Sequence, residues 1–193
     1  KDQGIAIDSL PLARLTEYLR TALREAPAEK GPLSYWYDRR APRLADQVAA
    51  VDVLSRLGAP DRPAENELLR NAPQMVRENR IRLAELLARR GATDDARRLL
   101  APVWAQVRMD GRTAALPADT SGWYFRSTTR ETARLLTATL AADPGNALVG
   151  PLVEWLSVSR ADRYWSNTQD LAAAVRAIAM YDTRVRAAAP RPV

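Results

Sequence analysis

Two residue types are missing from this sequence of 193 residues, and each absence removes chemistry. Without cysteine the chain has no disulfide, thiolate metal site, cysteine nucleophile or thiol switch. Without histidine it lacks the usual general base of Ser-His-Asp catalysis and most zinc or haem ligation. Phe occurs once and few segments are β-branched, so little in the chain favours sheet. No apolar run reaches the ~18 residues that a membrane-spanning helix needs. No secretory leader opens the sequence and residue 1 is Lys, so it reads as a mature product or as a piece of something longer.

What is abundant is arginine and alanine. The 29 basic residues comprise 27 Arg and 2 Lys, and the formal net charge is +6. Such a balance invites a nucleic-acid reading. The arginines are scattered, however, and most lie within a few residues of Asp or Glu. No basic block of five and no aromatic-basic alternation appears. No nucleic-acid partner is expected. The 35 alanines suit helices, and the expectation is an all-α fold.

Apolar residues recur at helical spacing along most of the chain. Leu10, Leu12, Leu15, Leu19 and Leu23 outline a first helix capped by Ser9. Leu44, Val48, Val51, Leu54 and Leu57 outline a second after Pro42, stopped by Gly58. A short helical piece, Glu65 to Arg70, leads to a long helix from Pro73 to Arg90 that Gly91 closes. Thr93 caps the next, which carries Leu99, Leu100 and Val103. Asp110-Gly111 signals a turn and Thr113 to Leu116 a short extended piece. Three more helices follow: one from near Ser127, one through Leu148 to Leu156, and one through Leu171 to Tyr181. The tail, residues 187–193, reads as frayed. The sum is about seven helices with short connections, arranged as antiparallel hairpins.

Residues 127–143 and 166–182 repeat at an offset of 39. Ser127 meets Ser166, Thr129 meets Thr168, Glu131 meets Asp170, Ala133 meets Ala172 and Ala138 meets Ala177. Each copy follows an aromatic connector: Trp123, Tyr124 and Phe125 in one, Tyr164 and Trp165 in the other. Tyr35-Trp36-Tyr37 repeats the theme loosely. A period near 40 is one helix pair. One hairpin cannot bury its apolar face alone, so such pairs stack in an arc or close in a ring. The dense alanines of the two repeated helices suit crowded inner positions.

Two segments carry a family resemblance. Tyr124-Phe125-Arg126-Ser127-Thr128-Thr129-Arg130-Glu131-Thr132-Ala133 resembles the opening of an inner toroid helix, and Arg163-Tyr164-Trp165-Ser166-Asn167-Thr168-Gln169-Asp170-Leu171-Ala172 resembles its W-S-T-Q-D/E-x-A motif. Both are similar to the thioester-containing domain of bacterial alpha-2-macroglobulins. Leu83 to Leu87, Gly91, Asp95-Ala96 and Leu99-Leu100 resemble a further part of it. The resemblance implies that residues 1–193 form a single domain, a partial α/α toroid matching its later two-thirds. The parent would be a periplasmic protease trap, often lipid-anchored to the inner membrane, in which a bait segment is cut and the attacker captured. Its implied partners are the parent's other domains and target proteases. The family's C-x-E-Q thioester motif has no counterpart in a chain without cysteine. This segment would therefore be a structural and interaction domain, not an enzyme, and would hold no cofactor or metal.

The candidate residues follow. Thr128-x-x-Glu131 and Ser166-x-x-Gln169 fit capping boxes, and with Ser127, Thr168 and Asp170 they line the implied toroid. Trp123, Tyr124, Phe125, Tyr164 and Trp165 read as core wedges between helix ends more readily than as a ligand platform. Glu131 and Asp170 open helices where carboxylates serve a toroidal glycosidase or cyclase, yet acid at a helix start is equally explained by the helix dipole. Asp94, Asp95 and Glu85 are too sparse for an oxygen-ligated metal. The competing readings are a helical-repeat adaptor that binds peptides, whose common period of 34 differs from the 39 seen here, and a toroidal glycosidase- or cyclase-like enzyme.

Overall fold

The computed structural model describes residues 8–24, 40–118, 127–159 and 167–186. The fold is all-α: among the described residues there are eight α-helices and one two-stranded hairpin. The helices are α1 (Ser9–Arg24), α2 (Arg40–Arg56), α3 (Arg62–Arg70), α4 (Arg77–Arg89), α5 (Thr93–Trp104), α6 (Thr128–Ala142), α7 (Val149–Val158) and α8 (Thr168–Tyr181). Strands β1 (Arg108–Asp110) and β2 (Thr113–Ala115) pair antiparallel, with Met109 opposite Ala114. Gly111 turns between them at φ 56°, a conformation that an L side chain rarely adopts. Among the described residues, no helix is long and apolar enough to cross a membrane.

The backbone gathers into two compact units, divided within α4 between Leu83 and Ala84. In the first unit, Leu44, Val48, Val51 and Leu54 of α2 are buried, as the periodicity predicts. Arg56 and Arg82 both reach the buried Asp52 carboxylate at 3.3–3.4 Å. In α1 no residue is fully buried, and Leu10, Leu15 and Tyr18 are exposed.

Several expected boundaries shift. Asp8, not Ser9, accepts at the start of α1, from the Leu10 amide at 3.1 Å. Helix α2 begins before Pro42, which sits in its first turn where no amide donor is needed. The long helix expected from Pro73 to Arg90 is broken. Residues Ala72–Gln74 form a 3₁₀ turn, Met75 is extended, and α4 starts at Arg77. The Arg80 guanidinium donates to the carbonyls of Ala72 and Met75 at 3.2 and 3.4 Å and so satisfies the groups that the break frees. Thr93 is the first residue of α5 rather than its cap, a position held by Ala92.

The second unit is built around α6. Eleven of its residues are buried, including Leu135, Leu136 and Leu140. It packs on α5, α7 and α8, and β2 lies against α7. Leu99, Leu100 and Val103 of α5 and Leu152 and Leu156 of α7 complete the core.

Candidate functional site

Helices α6 and α8 run parallel. At their N-terminal ends, Arg130 Nη1 donates to Gln169 Oε1 at 2.9 Å; at their C-terminal ends, Arg184 Nη1 donates to the Leu140 carbonyl at 3.3 Å. The intervening α7 must therefore return antiparallel. Asp143 and Asn146 make this connection tight: Asn146 Nδ2 donates to Asp143 Oδ2 at 3.1 Å, and Asn146 Oδ1 accepts from the Leu148 amide at 3.0 Å.

The helix caps differ from the expected boxes. Ser127 is the cap of α6, in extended conformation, its Oγ accepting from the Arg130 amide at 3.3 Å; Thr128 is already helical. In α8 the cap is Asn167. Its Oδ1 accepts from the amides of Gln169 and Asp170 at 3.0 and 2.9 Å, and its Nδ2 donates to Asp170 Oδ2 at 3.0 Å. The cap is therefore Asn167, and Asp170 three residues on bonds its side-chain amide, where a capping box would use the cap's backbone N–H. The expected acid pair does hold equivalent positions. Glu131 and Asp170 are both sealed from solvent, at 1% and 0% exposure. Ala138 and Ala177, also 39 apart, are both fully buried. Ser166 and the aromatic connectors Tyr35 to Tyr37, Trp123, Tyr124, Phe125, Tyr164 and Trp165 lie outside the described residues, as does the 187–193 tail.

Between them α6 and α8 frame a groove of about 420 Å³. From α6 it takes Arg130, Ala133, Arg134 and Thr137. From α8 it takes Gln169, Ala172, Ala173 and Arg176. Each set follows i, i+3, i+4, i+7, the stripe that shares one helix face, and each α6 member has its repeat partner 39 residues on. The last member of each stripe, Thr137 and Arg176, reaches Glu85. This buried carboxylate on α4 receives Arg176, the Thr137 hydroxyl at 3.4 Å and Arg89 at 3.7 Å.

The periodicity missed this network because its members are polar residues at core-facing positions. Three buried threonines of α6 illustrate the signal that was available. Thr132 Oγ1 accepts from the Leu116 amide at 3.2 Å, the Thr137 hydroxyl has the Arg134 carbonyl of its own helix at 2.8 Å and Glu85 at 3.4 Å, and Thr139 Oγ1 accepts from Trp104 Nε1 at 2.9 Å. Hydroxyls spaced along an Ala/Leu helix imply partners on its neighbours, because a buried polar group needs one.

Asp94 and Asp95 pair with Arg97 and Arg98 beside them. Among the described residues no cluster of three or more acidic side chains could hold a metal ion. No model of a known protein family matches the chain, and no curated protein is significantly similar to it.

Proposed function

We propose that this chain is a non-catalytic structural and interaction domain, part of an α/α toroid in a bacterial alpha-2-macroglobulin-like protease trap. With no family match, the reading rests on the two motifs and on the helix arrangement. The observation that carries it is the parallel pairing of the Ala-rich α6 and α8 through Arg130–Gln169 and Arg184–Leu140, with α7 returning between them. Alternation of inner parallel helices with antiparallel outer ones is how helical hairpins build a ring. The sealing of Glu131 and Asp170 supports a structural role over contact with a substrate.

The test uses the parent protein. It is incubated with trypsin, and the treated enzyme is assayed on a small chromogenic peptide and on a large protein substrate. A trap leaves the peptide activity largely intact and suppresses the protein activity. Equal activity on both substrates would overturn the reading.

A further inference from the structure

We propose that the groove between α6 and α8 is a binding site for carboxylate-bearing ligands. Its walls are two repeat-equivalent stripes, and the substitutions between them decide its chemistry. Arg130 and Arg134 stand on one wall, Arg176 on the other, and Ala133, Ala172 and Ala173 leave the space between them empty of side chain. At about 420 Å³ the space falls within the range of ordinary ligand sites, roughly 300–1,000 Å³.

Three features select for carboxylate. Each arginine has a partner inside the fold that orients its guanidinium, and the planar fork of that group matches the two oxygens of a carboxylate. The parallel α6 and α8 also bring the positive ends of two helix dipoles to the Arg130 end of the groove. Beyond the other end Arg176 already binds the protein's own carboxylate, Glu85, which shows the ligand chemistry this arginine accepts. The acids of the two first turns, Glu131 and Asp170, are buried in the core and do not line the groove. This assignment is independent of the protease-trap reading and would hold in any parent.

The source of the carboxylate is either an acidic peptide segment or a free polycarboxylate, and one titration separates them. Fluorescein-labelled hexaglutamate is titrated with the 193-residue chain and followed by anisotropy, with tricarballylate and inorganic phosphate as competitors. Binding should weaken as salt rises. Arg134→Ala should weaken it about tenfold, the loss of one charge-assisted pair. Ala173→Glu, which puts a resident carboxylate in the groove without removing an arginine, should do the same. Arg98→Ala, which removes a cation from α5 outside the groove, should leave binding unchanged; circular dichroism checks that each variant is folded. Competition by tricarballylate at concentrations comparable to the peptide assigns the site to free polycarboxylates, and failure to compete assigns it to acidic peptide. The proposal is overturned if hexaglutamate does not bind, if Arg98→Ala weakens binding as much as Arg134→Ala, or if phosphate displaces the peptide better than tricarballylate does.

Discussion

Glu85 ties α4 to both repeated helices through a single carboxylate. Its removal takes one acceptor from Arg176 and one from Arg89, while the Thr137 hydroxyl keeps the Arg134 carbonyl at 2.8 Å. Arg176 is about half exposed and Arg89 about a quarter exposed, so water replaces much of what each arginine loses. Glu85→Ala should therefore cost only about 1–2 kcal/mol, toward the low end for a buried charged partner, measured by urea denaturation. The caps give a second test. Asn167→Ala removes the acceptor for two orphan amides and should cost about 0.5–2 kcal/mol, whereas Thr168→Ala, one residue on and exposed, should stay within about 0.5 kcal/mol. Which hydroxyl or amide caps a helix was only partly legible in the sequence. Ser127 through Thr129 are three consecutive candidates and Ser166 through Thr168 another three. All are of cap-forming type, and the backbone conformation of the chosen residue, not its chemistry, decides among them.

At the scale of elements, legibility followed the width of the apolar face. Helices α2 and α5 bury regular Leu and Val positions and were readable from spacing alone. The segment from Pro73 to Arg90 has equally helical spacing, yet a 3₁₀ turn and an extended Met75 interrupt it. The carbonyls freed by the break are bonded by Arg80, a tertiary solution that periodicity does not encode. The repeat was legible, down to the buried pairs Glu131–Asp170 and Ala138–Ala177, and the groove that its stripes enclose was not. On α8 the stripe and the core face lie about one side chain apart, and only their burial distinguishes them; on α6 the stripe residues Arg130, Ala133 and Thr137 are themselves buried. The small residues of α8 therefore divide into two classes. Ala174 is fully buried, whereas Ala172 is exposed in the groove. Ala174→Leu should overpack the helix interface and cost about 1–3 kcal/mol. Ala172→Leu, identical in sequence terms, should change stability by no more than about 0.5 kcal/mol. Thermal melts of the two variants decide whether alanine density in this helix reports close packing at both positions or at one.

For the whole molecule, the proposed ring makes a demand that the all-α class alone does not. A helix within a closed ring is covered by neighbours on both flanks, and one at the edge of an incomplete ring is covered on one. Helix α8 buries Asp170, Ala174 and Ala177, and on another face Leu171 and Val175, one turn apart, are 41% and 51% exposed. Apolar residues left at a stacking edge bind whatever apolar surface is offered. The isolated chain should therefore enhance the fluorescence of a hydrophobic dye, and Leu171→Gln with Val175→Gln should remove most of that enhancement. Because both side chains are already about half in water, the double variant should unfold within a few degrees of the parent sequence, a shift of the size that ~1 kcal/mol produces in a chain this long. A longer piece of the parent that completes the ring should bind less dye than this chain does. Equal binding by the longer piece would mean that the α8 flank stays exposed in the assembled protein, and α8 would then be a free outer surface instead of an edge awaiting its neighbour.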